Sequence, residues 1–183
     1  GLANRLAAPF AKRIGTAFQS AALRFPVEKT AIVGVPVREH LCAQQVKEAC
    51  HFFNIESDRK VILVVGGSQG AQVVNDVILA SLPILLETYE VIHLSGPLHY
   101  EIVKKEAEII IEDKGLVRYY HLYPFLTEEY EFAFTLAQLL VSRSGATTIF
   151  EAAFCGKPSI LIPIKESANN HQRINAYEYA KTG

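Results

Sequence analysis

The sequence lacks the features that mark several whole classes of protein. Its formal net charge is −1, which removes the overall electrostatic footprint of a nucleic-acid binder. Cys42, Cys50 and Cys155 form an odd set without CxxC spacing. Neither a disulfide framework nor a thiolate zinc site is therefore expected, and a reducing compartment fits best. No apolar run reaches the roughly 18 residues that a membrane span requires. Arg5, Lys12 and Arg13 interrupt the apolar positions that a signal peptide would keep continuous. Internal repeats and low-complexity tracts are also missing. What remains is 183 residues, half apolar and a fifth charged, the composition of a globular chain with a substantial core. The first residue is Gly1 and the last three, Lys181-Thr182-Gly183, follow directly on a helical pattern, so the expectation is a segment cut at both ends.

Residues 1–27 contain Arg5, Lys12, Arg13 and Arg24 but no acidic residue, and Leu2, Leu6, Phe10 and Ile14 recur every four positions. That spacing predicts a basic amphipathic helix. Two readings stand side by side: contact with an anionic membrane surface, and packing on a partner domain. From residue 30 onward short β-branched runs alternate with helical patterns. Strands are expected at 30–33, 60–65, 90–94, 116–121, 139–142 and 159–162, and helices at 71–86, 99–112, 127–137, 147–155 and 169–181. Runs such as Val61-Ile62-Leu63-Val64-Val65 are apolar at every position, as in strands of a parallel sheet covered on both faces. The expected architecture is a Rossmann-like, doubly wound α/β domain over residues 36–183. Ligands of such sheets sit outside the carboxyl ends of the strands.

Three loops there carry candidate chemistry. Gly66-Gly67-Ser68-Gln69-Gly70-Ala71 follows a buried strand and opens a helix. Glycines let the backbone approach a ligand and the free N–H groups favour an anion, so a phosphate or pyrophosphate fits, with Ser68 as a hydroxyl donor; a plain tight connection is the alternative. The Lys-Ser/Thr pair of a P-loop is missing, and the spacing is not GxGxxG. The next strand ends His93-Leu94-Ser95-Gly96, without the carboxylate that would hold a nicotinamide cofactor's ribose. The second loop, Ser142 to Glu151, places Gly145 and Ala146 at a helix start. Thr147, Thr148 and Glu151 then share one helix face, where a carboxylate can accept both hydroxyls of a ribose. Against this, Ser144 would simply cap the helix and Glu151 would be a solvated surface residue. The third, from Ala168 to Ala176, offers amides suited to sugar hydroxyls, with His171 either catalytic or a structural hydrogen-bonding residue. Arg38 is either a guanidinium beside a pyrophosphate or an ordinary surface residue. The other histidines show no metal-like spacing with carboxylates or thiols.

Taken in order, these segments resemble the MurG family, the glycosyltransferases that add N-acetylglucosamine to the lipid-linked muramyl peptide of peptidoglycan. The matching pieces are Gly1 to Arg5, Gly34 to Arg38, the GGSQGA loop with Asn75, His93 with Gly96, Pro124-Phe125-Leu126, Ser142 to Glu151, Gly156-Lys157-Pro158, and His171-Gln172 with Asn175-Ala176. Val35, Leu94 and Gln138 depart from the family's usual Asn, Gln and Asp. The resemblance implies the carboxyl-terminal, donor-binding half of a GT-B fold, with residues 1–35 as the tail of an amino-terminal acceptor domain and linker. It implies that Arg38 and Ser68 contact the diphosphate, beside Gly67 and Gln69. The Leu126 backbone would read uracil, and Ala146, Thr147, Thr148, Ile149 and Phe150 would line the phosphates and sugar. Glu151 would bind the ribose and Gln172 the N-acetylglucosamine ring. It implies an inverting transfer from UDP-N-acetylglucosamine to an undecaprenyl-linked muramyl pentapeptide (lipid I to lipid II), at the inner face of the cytoplasmic membrane, with no cofactor and no metal in the chemical step. The general base would lie in the amino-terminal domain, so this chain alone is expected to be inactive. Two alternatives remain open: another family 28 glycosyltransferase, acting on a glycolipid or as a catalytic subunit, and a non-catalytic UDP-sugar-binding module.

Overall fold

The computed structural model describes residues 2–67, 70–113, 115–164 and 170–182. Its centre is a parallel sheet of five strands: β3 (Val61–Val65), β4 (Glu90–Leu94), β5 (Tyr120–Tyr123), β6 (Ala137–Ser142) and β7 (Ser159–Leu161), in the order β5-β4-β3-β6-β7. All of β3 is buried, and its side chains alternate between two cores as the period of a strand requires. Ile62 and Val64 pack with Val74, Ile78, Leu82 and Leu86 of α4 (Gln72–Thr88) and with Val103 of α5 (Tyr100–Ile110). Leu63 and Val65 pack on the other face with Phe53 of α3 (Val46–Phe53), Phe134 of α6 (Tyr130–Leu136) and Ala152 of α7 (Ala146–Phe154). The last helix, α8 (His171–Ala180), follows β7. This is the doubly wound α/β architecture expected from the buried runs.

Chain progress across the sheet reverses next to β3. The path runs β3, β4, β5 to one edge and then crosses back to place β6 on the other flank of β3. The helices that follow β3 and β6 therefore leave in opposite directions, and a crevice opens between their starts at the carboxyl ends of the two strands. Gln138 stands at the opposite end. Its Oε1 accepts the Val61 N–H at 2.6 Å, where the β3–β6 register shifts; this departure from the family pattern thus serves the ladder.

Two local expectations are corrected. The predicted amino-terminal helix ends early: α1 covers Leu2–Ala7, Pro9 sits in a 3₁₀ turn, and Ile14 lies in β1 (Ile14–Thr16). β1 pairs in parallel with β2 (Thr30–Ile32), and the short α2 (Gln19–Ala22) joins them. A four-residue apolar spacing thus straddled two elements, because proline cannot continue the helical ladder. The strand expected from residue 116 begins at Tyr120, after a 3₁₀ turn at Val117–Tyr119. No helix among the described residues is long and apolar enough to cross a membrane.

Candidate functional site

The crevice is a cavity of about 430 Å³ lined by residues from all the loops that the sequence singled out. Val65 and Leu94 end the strands at its floor, Gly67 enters from the glycine loop, and Gly145 to Thr148 enter from the start of α7. Arg38, Leu126, Glu151 and Gln172 close the remaining sides. Eight of the twelve residues expected at a ligand site therefore meet around one space. Ser68 and Gln69 lie outside the described residues. Ile149 and Phe150 are elsewhere: Ile149 is buried, and the Phe150 ring packs against Phe18 with centroids 5.5 Å apart. Each residue of a helix turns by about 100°, so a run from 146 to 151 cannot present every side chain to one side.

The glycine loop owes its course to backbone that L side chains rarely adopt. Gly67 and Gly70 have φ of 85° and 77°, and Gly70 passes so close to the next loop that an added Cβ would stand 2.4 Å from the Ser95 carbonyl oxygen. Close backbone approach of this kind leaves N–H groups available at the start of α4, which Ala71 opens without a side-chain cap. α7 is similar: its N-cap is Gly145, with no side-chain cap bond. Ser144, expected as a possible cap, instead has a buried hydroxyl without a partner among the described residues, and its carbonyl accepts from Asn175 Nδ2 at 3.1 Å. The uncapped start of α7 and Gly67, in the loop that leads to the start of α4, thus bound one cavity, an arrangement that favours negative charge.

Glu151 is no solvated surface residue, being 7% exposed. Its Oε2 accepts the Tyr130 hydroxyl at 3.0 Å. Burial pushes the carboxyl above its ordinary value, while the Tyr130 hydrogen bond and Arg38 pull it back down. Burial, with Glu151 next, holds the Tyr130 proton in place. Arg38 is exposed, donates to the Thr127 carbonyl at 3.3 Å and stacks over the Tyr130 ring at 5.6 Å. A carboxylate held by a tyrosine and flanked by an exposed cation can take hydroxyl donors on its remaining lone pairs. Gln172 is buried, and its Oε1 accepts the Ile164 N–H at 3.1 Å. His171 is exposed and borders a separate groove with Arg5 and Arg24.

Two residues of the site went unnoticed in the sequence as individuals. Tyr130 approaches Glu151 across 21 positions, and no spacing rule connects a residue of α6 to one of α7. Arg143 donates Nη1 to the carbonyls of Gly66 and Gly70, each at 3.4 Å, and its buried Nε has no partner among the described residues. Burial lowers its proton affinity from the ordinary arginine value. Its place inside the Ser142–Glu151 motif was the available signal.

A Tyr130→Phe variant should raise the Glu151 carboxyl further, since the lost hydrogen bond is one of the two influences that lower it. If Glu151 is needed ionised, ligand affinity should fall about three- to tenfold, and the pH at which affinity is half-maximal should move upward. Titration calorimetry across pH reads both; an unchanged pH midpoint would contradict the coupling.

A doubly wound sheet with a crevice at its switch point defines an α/β domain of the class whose ligands sit outside the carboxyl ends of the strands. More specifically, the sequence profile of the glycosyltransferase family 28 C-terminal domain matches residues 61–183, and the chain belongs to that family. It is 33% identical over its whole length to a UDP-N-acetylglucosamine--N-acetylmuramyl-(pentapeptide) pyrophosphoryl-undecaprenol N-acetylglucosamine transferase of Bacillus thuringiensis, covering 49% of that protein. The same description belongs to a relative from Halothermothrix orenii, 35% identical over all of the chain and 50% of the relative. The chain thus spans about half the length of these relatives. Among solved structures it is similar to Acinetobacter baumannii MurG, with TM-score 0.65 and 24% identity over all of this chain and 48% of that one. A glycosyltransferase of Rickettsia africae matches with TM-score 0.60 and 12% identity over 94% of this chain and 54% of that one. These two likenesses concern the fold, which is that of the GT-B glycosyltransferases.

Proposed function

We propose that the cavity holds UDP-N-acetylglucosamine and that the protein containing this chain transfers N-acetylglucosamine from it to lipid I, giving lipid II. The observation that carries this reading is the convergence of the uncapped α7 start, the glycine loop at Gly67 and a buried, tyrosine-held carboxylate on one space. The diphosphate would lie between Gly67 and Ala146, with Arg38 closing over it and Ser68 and Gln69 near by. The ribose hydroxyls would donate to Glu151, uracil would meet the Leu126 backbone, and the sugar would reach Gln172. Thr147 and Thr148 would line the phosphate side. In an inverting transfer, the acceptor oxygen forms a bond to the anomeric carbon as the bond to the β-phosphate oxygen breaks. The electron pair leaves with UDP. The helix starts and Arg38 would stabilise that growing charge without a metal or cofactor. The acceptor's proton would pass to a base in an amino-terminal domain, of which residues 1–35 would be the tail.

Acceptor and location belong to the same proposal. Leu2, Leu6 and Phe10 are exposed at 74%, 65% and 89% beside Arg5, Lys12 and Arg13, a surface suited to the cytoplasmic face of an anionic membrane carrying the undecaprenyl-linked muramyl pentapeptide. Titration calorimetry with UDP-N-acetylglucosamine, UDP-glucose and a purine nucleoside diphosphate tests the donor. The expected order is UDP-N-acetylglucosamine tightest and the purine nucleotide weaker by about tenfold or more; equal affinity for all three would contradict it.

A further inference from the structure

Beneath the glycine loop lies a set of polar side chains that does not line the cavity. Asn75 on α4, His93 on β4 and Ser95 just beyond β4 are each 0% exposed. Asn75 Nδ2 donates to the Ser95 carbonyl at 3.1 Å, so Asn75 Oδ1 is the atom that faces His93 Nε2, at 3.0 Å. An amide oxygen only accepts, which puts the imidazole proton on Nε2. His93 Nδ1 lies 2.7 Å from the Tyr120 hydroxyl, and with Nε2 protonated in a neutral ring it accepts that O–H. Burial without a facing carboxylate keeps the ring neutral, its pKa lowered to about 3.

The far end of this relay is the floor of the glycine loop. Ser95 N donates to the Tyr123 carbonyl at 3.1 Å, and Gly66 N donates to the Leu94 carbonyl at 3.2 Å. The Ser95 carbonyl that Asn75 holds is the oxygen against which Gly70 is packed. Displacing it would move Gly70, and with it the start of α4.

We propose that His93 is a positioning residue for the nucleotide site: as a neutral imidazole protonated on Nε2 it orients Asn75, and through Asn75 fixes the Ser95 carbonyl against which Gly70 is packed. This deepens the diphosphate reading and rests on it. His93→Leu in the full-length protein leaves Asn75 Oδ1 and the Tyr120 hydroxyl without their partner, whereas His93→Gln again presents an N–H to Asn75.

The expected result is a donor KM about tenfold higher in His93→Leu, with kcat within about twofold, and most of the loss recovered in His93→Gln. A merely structural role would lower the folded fraction, and so the apparent kcat, and leave KM alone. Tyr120→Phe gives a second arm that does not depend on the Leu variant folding. It should raise donor KM about threefold and shift the Nδ1 resonance, which loses its hydroxyl donor while Asn75 keeps the proton on Nε2; nitrogen-resolved NMR of the imidazole detects the shift and the retained proton. In the parent protein the same spectra should show a protonated Nε2 and an unprotonated Nδ1, shifted on addition of UDP. A protonated Nδ1, or a donor KM unchanged in both His93→Leu and Tyr120→Phe, would overturn the proposal while leaving UDP binding by the parent intact. Failure of the parent to bind UDP would instead overturn the diphosphate reading, and this proposal with it.

Discussion

Glu151→Gln should lower affinity for UDP-N-acetylglucosamine about 10- to 100-fold, the range expected when hydroxyl donors lose a charged acceptor, without harming the fold. The second half of that expectation follows from the carboxyl's environment. Burial raises Glu151 above the ordinary carboxylate value, so the folded state holds this proton more tightly than the unfolded chain does. Its contribution to stability is then fully present below about pH 4.5 and is lost as pH rises through the raised folded value. At neutral pH the ionised carboxylate is a cost that the free protein bears, and a neutral glutamine still accepts the Tyr130 hydroxyl. Urea unfolding at pH 7 should find the variant at least as stable as its parent, and the difference should shrink in acid. Weakened binding with undiminished stability separates a ligand-directed carboxylate from a structural one. Unchanged affinity would remove the ribose assignment, and a strongly destabilised variant would mark Glu151 as part of the packing.

Gly70→Ala should be the most damaging single-methyl change in the site. Its φ of 77° alone costs an alanine about 1–2 kcal/mol, and the new Cβ would stand 2.4 Å from the Ser95 oxygen and 2.7 Å from the His99 ring. The oxygen is backbone, anchored by Asn75, and cannot move aside cheaply. A total near 3 kcal/mol corresponds to a melting temperature lower by roughly 6–12 °C in a chain of this size, with donor binding weakened in the fraction that folds. Gly145→Ala is the internal control. Its φ is −70° and nothing lies within 4 Å of the position of an added Cβ, so stability should stay within about 0.5 kcal/mol. Equal stability losses in the two variants would contradict this account of the glycine loop.

How much of this was legible beforehand depends on whether the signal was local. The strands of the central sheet could be read because β3 and β4 are buried at every position, and parallel strands covered on both faces spell out that burial in sequence. β1 could not be read. Three residues beginning at Ile14 completed a helical spacing with Leu2, Leu6 and Phe10, and only pairing with β2 makes them a strand. α3 was missed for a related reason: Val-Lys-Glu-Ala-Cys-His-Phe-Phe is only 8 residues long, too short for its Lys-Glu-Ala run to hold a helix alone, and the helix is held by Ala49 and Phe53 docking into the core. At the site, helix-face arithmetic correctly grouped Thr147, Thr148 and Glu151 around one space. Ile149 and Phe150, which came only with the resemblance, do not line that space. Tyr130 and Arg143 depend on chain crossings that no spacing records.

Determining a structure of the protein with UDP bound is the most direct measurement. The account predicts the two phosphates between Gly67 and Ala146, within hydrogen-bonding distance of the first N–H groups of α4 and α7, and both ribose hydroxyls on the Glu151 carboxylate. Nucleotide lodged in another groove, or phosphates bound with neither helix start in contact, would contradict it.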